Sequence, residues 1–169
     1  MTLAACGSDE AATVQPGSAP TGRDALPSLR REANELLGGG AQAFGARLAG
    51  LRGHPVVVNQ WASWCGPCRF EFPFFAALAD RYRGRAAFLG VDAQDARPAA
   101  LRFLREKPLP YPSFFDPSTA VARLFPGGLA WPTTAFYDAR GKVVYTHAGA
   151  YASQAKLEEE IRRYALGGA

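Results

Sequence analysis

Trp64-Cys65-Gly66-Pro67-Cys68 follows directly on the apolar run Val56-Val57-Val58-Asn59-Gln60-Trp61, and this junction constrains the chain more than any other feature. Two cysteines separated by two residues close a small redox disulfide, hold part of a metal site, or sit inert. A buried-strand pattern that runs into C-x-x-C and then into helical periodicity places both sulfurs at a helix N-terminus. There the unpaired backbone N–H groups and the helix dipole favour a thiolate, which points to redox chemistry. Positions i and i+3 share a helix face, so Cys65 and Cys68 can meet. Cys65 is expected at the exposed edge as the attacking thiolate, with Cys68 one turn inward to resolve the mixed disulfide. An ordinary thiol with a pKa of ~8.5 is only ~3% ionised at neutral pH, whereas a pKa of ~7 leaves about half ionised, a difference worth ~2 kcal/mol. Arg69 is expected to point to solvent and to add little.

Hydrophobic periodicity organises the rest. Residues 1–35 read as an N-terminal tether and 36–169 as one folded domain. The unbroken Val56-Val57-Val58 predicts a strand over 55–61 covered on both faces. Phe70, Phe74, Ala77, Leu78 and Tyr82 recur at helical spacing, predicting a helix over 66–82, with Pro67 tolerated in its first turn and Pro73 expected to kink it mid-way. A second buried strand is expected over 86–91, then a helix from Pro98 to about Lys107 with Leu101 and Leu104 on one face. A short strand 113–115 and a short helix 119–125 come next. Strands 133–138 and 142–148 are joined by the turn Ala139-Arg140-Gly141, and a final helix spans 153–166, with Ser153 as its N-cap. Strands alternating with helices imply a parallel core, and the late hairpin adds an antiparallel edge. The expected fold is therefore a three-layer α/β/α sandwich with a mixed central sheet.

Charge excludes some partners. The formal net charge is +4 over 169 residues, but the arginines are interspersed with acids, as in Arg105-Glu106 and Glu160-Ile161-Arg162. That is a solvated surface, not a nucleic-acid footprint. No run approaches the ~18 apolar residues of a membrane span. A zinc site needs about four ligands and C-x-x-C supplies two, while His54 and His147 read as turn and strand-surface residues. Three cysteines do not make a disulfide framework, so Cys6 stands apart from the pair.

Two resemblances extend this reading. Leu3-Ala4-Ala5-Cys6-Gly7 resembles a bacterial lipobox, whose cysteine becomes a lipid-bearing mature N-terminus. The charged and apolar parts of such a signal are missing ahead of it, and Gly7 to Thr21 is rich in the small and polar residues of a flexible spacer. Trp64-Cys65-Gly66-Pro67-Cys68 resembles the thioredoxin active site. Arg52-Gly53-His54-Pro55 and Val56 to Asn59, Cys68-Arg69-Phe70-Glu71-Phe72-Pro73, Tyr111-Pro112, and Trp131-Pro132-Thr133-Thr134-Ala135-Phe136 narrow the likeness. They are similar to the membrane-tethered thiol-disulfide oxidoreductases of TlpA/ResA (DsbE-like) type, over residues 40–165.

That resemblance implies a thioredoxin-like domain with no cofactor beyond its redox-active disulfide. It implies that Pro132 is the cis-proline beside the disulfide and that Glu71 is the acid that tunes the thiols. Asn59 stands where thioredoxins carry a buried aspartate. Trp64, Gly66, Pro67, Trp131 and Thr133 are expected to meet the substrate, the two tryptophans as an aromatic rim. Trp131 is bulkier than is usual for the family, so specificity does not carry over. The implied partners are cysteine-containing protein substrates, a membrane or extracytoplasmic recycling partner, and the bacterial cell membrane through a lipid anchor. The Gly-Pro pair between the cysteines favours the reductant, as in cytochrome c maturation; the alternative is an oxidase in secreted-protein folding. Copper delivery is the rival of another class, but that family resembles C-x-x-x-C with a downstream histidine. A redox-inactive binding module is the remaining alternative.

Overall fold

The computed structural model of the chain describes residues 25–168; Cys6 and most of the expected tether lie outside the described residues. Six strands form one sheet: β1 (Leu36–Leu37), β2 (Val56–Trp61), β3 (Ala87–Ala93), β4 (Ser113–Asp116), β5 (Thr133–Tyr137) and β6 (Val143–Ala148). Their order is β1-β4-β3-β2-β5-β6. β2 pairs in parallel with β3 and antiparallel with β5, and β5 carries β6 antiparallel at the edge. Every residue of β2 and β3 is buried, which is why both read as continuous apolar runs rather than alternations.

The connections decide which face each helix covers. β2, β3 and β4 step in one direction across the sheet, and their crossovers carry α3 (Gly66–Arg81) and α4 (Arg97–Glu106). Phe72, Phe75 and Leu78 of α3 and Phe103 and Leu104 of α4 share one apolar core with Trp61 and Phe136. α5 (Gln154–Glu160) adds Leu157 to the same side. β1 steps to β2 the opposite way, and α2 (Gly40–Gly50) lies on the other face, where Phe44 packs with Val56, Val58, Leu89 and Phe114. The sandwich therefore has the three layers and mixed sheet that the sequence implies.

Some expectations are corrected. The expected tether overlaps the folded domain, because α1 (Ala25–Arg31) buries Ala25 and Leu29 in the α2-side core. After α1, Asn34 ties the chain down by bonding the Leu104 carbonyl and the Leu109 N–H. Pro27 and the flanking arginines gave that stretch the look of a tail. On α4 the buried stripe is Ala100, Phe103 and Leu104, with Leu101 36% exposed. Helix α3 runs through Pro73. The last helix does start at a Ser153 cap, but after Glu160 it widens into a π-helical turn over Ile161–Ala165.

One glycine reports how tightly β2, β3 and β4 meet. A methyl group on Gly90 would overlap Ser113 Oγ and crowd Trp61 Nε1. These are the two groups that hydrogen-bond each other at 3.2 Å across the core. Trp61 also packs against Phe72 and Phe103, with ring centroids 5.1 and 5.6 Å away. Gly90→Ala is expected to destabilise the domain by about 1–3 kcal/mol through this overpacking, measured by denaturant unfolding; a change within ~0.5 kcal/mol of zero would show that the contact yields freely.

Candidate active site

β2 ends at Trp61, and four residues later the chain enters α3 through Cys65. Cys65 is the helix N-cap, with extended backbone at φ −81° and ψ 104°, and its Sγ accepts the Cys68 backbone N–H at 3.2 Å. The two cysteines are joined as a disulfide with Cα atoms 5.3 Å apart. Pro67 lies in the first turn, where it forgoes no intrahelical partner. Gly66 and Pro67 are exposed. Cys65 is less open than its N-terminal position suggested, at 4% exposure, and Cys68 is fully buried. The expected order of access between the two sulfurs is kept, but both lie in the core that contains Trp61 and Phe72.

The surroundings of the disulfide come from three distant segments. Trp64, 56% exposed, donates from its indole to the Gln94 carbonyl at 2.9 Å. Trp131 donates to the Ala93 carbonyl at 3.3 Å, and the two indoles lie 5.7 Å apart. The structure thus brings the two rim tryptophans together. Between them and β5 the Trp131–Pro132 peptide bond is cis, and the Pro132 carbonyl accepts the Gly149 N–H at 2.9 Å. Thr133 differs from its expected place at the substrate surface. It is buried, and its hydroxyl is committed to the Gly127 and Ala130 carbonyls, so it shapes the loop before Pro132.

Arg69 also departs from expectation. Its guanidinium lies over the Phe103 ring at 4.4 Å and donates to the Ser63 carbonyl at 3.3 Å. A guanidinium placed over an aromatic face is attracted by the ring while its N–H groups remain free to bond.

Glu71, one turn beyond Cys68 on α3, is completely buried. Its Oε2 accepts the Tyr151 backbone N–H at 3.0 Å, and its Oε1 has no partner within the protein. Burial pushes its pKa up to about 8, opposed by the Tyr151 N–H. Tyr151 is itself held by a 2.6 Å hydrogen bond from its hydroxyl to Glu160 and by stacking on the His147 ring at 4.1 Å. His147 meets the other Glu160 oxygen at 3.1 Å, so it is more than a strand-surface residue. Asn59, where thioredoxins carry their acid, is buried beside the Tyr111 hydroxyl, and its side chain has no other partner.

Sequence reasoning missed Tyr151 and the run Asp92 to Asp95. Asp95 accepts hydrogen bonds from both the backbone N–H and the hydroxyl of Ser63, two residues before Cys65. The signal was present as an aspartate closing a buried apolar strand, a position that demands a reason. Among the described residues no group of three or more His, Cys, Asp or Glu is arranged to hold a metal, and no helix is long and apolar enough to cross a membrane. An apolar cleft of about 260 Å³ lies between α1, the end of α3 and the start of β3, away from the disulfide.

The Redoxin family model matches residues 24–161, and the chain belongs to the redoxin family. It is 40% identical over 94 residues to a thiol:disulfide interchange protein DsbE homolog of Paracoccus denitrificans, covering 55% of this chain and 50% of that protein. It is 26% identical over 117 residues to the thiol-disulfide oxidoreductase ResA of Bacillus thuringiensis, covering 69% and 66%. The chain thus spans about half to two thirds of the length of these relatives. Among solved structures it is similar to a protein assigned as DsbE from Chlorobium tepidum, with a TM-score of 0.60, 31% identity, and coverage of 69% of this chain and 84% of that one. The fold is thioredoxin-like and of DsbE/ResA type.

Glu71 generates a prediction whose sign follows from its raised pKa. Between its ordinary value of 4.5 and about 8, the folded protein holds a proton that the unfolded chain releases. Stability is then fully present below pH ~4.5 and declines as the pH rises through 8. Glu71→Gln is expected to make that decline shallower in denaturant titrations of the oxidised protein between pH 5 and 9. An unchanged slope would mean Glu71 ionises in the fold as it does in water.

Proposed function

We propose that this redoxin-family protein is a thiol-disulfide oxidoreductase that exchanges disulfides with cysteine-containing protein substrates through Cys65 and Cys68, in the reducing direction. The observation that carries the reading is the Cys68 N–H donated to Cys65 Sγ at a helix N-terminus. A sulfur that already accepts a backbone N–H and faces the positive end of a helix keeps its charge more readily than one in water.

In the reduced protein, the Cys65 thiolate attacks one sulfur of a substrate disulfide and expels the other as a thiolate, giving a mixed disulfide. Cys68 loses its proton and attacks Cys65 Sγ. That closes the Cys65–Cys68 disulfide and releases the second substrate sulfur; two electrons have passed to the substrate, whose thiolates take up protons. Glu71 suits the proton step: it stands one turn beyond Cys68, and with its pKa raised to about 8 its carboxylate is a far stronger base than an ordinary one. Trp64, Gly66, Pro67 and Trp131 form the surface on which the substrate segment lies, and Pro132 presents backbone beside the disulfide. The exchange needs no cofactor beyond the cysteine pair. A dithiol partner of the membrane or extracytoplasmic space returns the disulfide to the reduced state.

The same proposal makes the protein extracytoplasmic and anchored to the cell membrane by lipid on Cys6. The lipobox-like Leu3-Ala4-Ala5-Cys6-Gly7 supports this. Mass spectrometry of the N-terminus of protein from its native host tests it; a soluble chain with unmodified Cys6 would remove the anchor.

The reducing direction rests on the Gly-Pro pair, which in thioredoxin accompanies a potential of ~−270 mV, against ~−120 mV for the oxidant DsbA. The Cys65–Cys68 couple is expected below ~−200 mV in equilibrium with glutathione or dithiothreitol, and a value well above that assigns an oxidase instead. Cys68→Ser is expected to accumulate mixed disulfides through Cys65 with envelope proteins, since the resolving thiol is gone. Recovery of none would argue against protein substrates.

A further inference from the structure

Asp92 is a buried acid in the sheet without a donor partner. It lies near the end of β3, with Trp61 of β2 and Phe115 of β4 as its ladder neighbours. Its side chain is wholly buried, and neither carboxyl oxygen receives a hydrogen bond from any protein donor. An ionised carboxylate in such a place is strongly disfavoured. The group within hydrogen-bond reach is another carboxyl, that of Asp95, and two carboxyls bond only when one carries a proton. Asp95 already accepts from the Ser63 N–H, the Ser63 hydroxyl and the Ala96 N–H, so Asp92 is the member of the pair that donates.

The other charged groups facing Asp92 are engaged elsewhere. Arg97, from α4, donates to the Leu36 carbonyl at 2.7 Å and lies over Phe115. Asp116, from β4, accepts the N–H groups of Val121 and Ala122. β2 contributes uncharged Trp61. Burial and the neighbouring Asp95 charge accordingly raise the pKa of Asp92 to about 9.

The turn that this pair stabilises holds the edge of the active site. Three consecutive residues each grip a different piece of it: Ala93 binds Trp131, Gln94 binds Trp64, and Asp95 binds Ser63. Gln94 is left-handed at φ 57°, a conformation unfavourable for a non-glycine residue that needs support from its surroundings. We propose that Asp92 is a positioning residue of this site, donating a hydrogen bond to Asp95 and so fixing the Ala93–Asp95 turn that sets Ser63, Trp64 and Trp131 around the disulfide. Its consequence for exchange rests on the oxidoreductase reading; its consequence for geometry does not.

The test begins with the oxidised protein, in which no active-site thiol titrates. Carbon-13 NMR of the Asp92 carboxyl is expected to show half-protonation near pH 9. The Trp64 and Trp131 indole N–H signals should move with it, and should hold still over that range in Asp92→Asn, whose amide donates to Asp95 at every pH. Titration of Asp92 in the ordinary carboxylate range, or indole signals indifferent to it, would overturn the proposal whether or not the protein exchanges disulfides. In the exchange assay at pH 7, Asp92→Leu is expected to slow turnover about ten-fold by misplacing the edge. Asp92→Asn should recover most of that loss; if it is as slow as Asp92→Leu, the donated hydrogen bond is not what positions the site. Should Asp92→Leu fail to fold, the comparison of Asp92→Asn with the native protein across pH 7–10 decides on its own: the native rate alone should fall at the alkaline end.

Discussion

A single hydrogen bond, from the Cys68 backbone N–H to Cys65 Sγ, concentrates what the rest of the fold is arranged to provide. It exists because Cys65 is an N-cap, and N-caps must satisfy the orphan donors of a first helical turn. Most caps do so with oxygen. Here sulfur fills the role, so the requirement that closes the helix also turns a backbone N–H towards Cys65 Sγ. The helix can start at that point only because β2 delivers the chain there from the middle of the sheet, covered on both faces and paired on both edges. Rigidity in the strand becomes position in the sulfur.

Holding the site in the core has an electrostatic consequence. Glu71 and Asp92 are carboxyl groups where water does not reach, and both remain protonated well above the ordinary carboxylate range. Their tolerance comes from different sources. Glu71 receives one backbone N–H from Tyr151, a residue held in turn by Glu160 and His147. Asp92 receives none and lies beside the carboxyl of Asp95. One buried acid thus stands one turn beyond Cys68 and the other behind the loop that leads to Cys65. Such groups are expensive for stability, and buried acids of this kind cluster at functional sites.

Aromatic packing links these parts into one unit. Trp61, Phe72 and Phe103 meet edge-on or tilted at 4.7–5.6 Å, joining the end of β2 to α3 and α4 beneath the disulfide. Arg69 lies on the outer face of Phe103 and reaches back to the Ser63 carbonyl, while Asp95 holds the N–H of the same residue. Both polar ends of Ser63 are therefore occupied, and the loop from Ala62 to Cys65 has little freedom. Trp64 stays exposed in spite of its size because its indole N–H is anchored and its ring leans towards Trp131.

The sequence by itself determined the sheet layers, the covered strand β2, the helix that begins at Cys65 and the pairing of its sulfurs. All of these follow from local periodicity and from the three-residue spacing of two side chains on one helix. The folded N-terminal segment around Leu29 escaped it, since two apolar residues beside a proline do not make a pattern. Tertiary structure alone decided that Thr133 supports a loop, that Arg69 lies on Phe103, and that Tyr151 meets Glu71 across 80 residues of chain. It also decided that Asp92 and Asp95 form a pair with Ser63 of another strand's loop. The reason is physical: periodicity reports which face of an element is buried, but the partner of a buried polar group is set by how separate elements pack, and nothing in their local sequence encodes that.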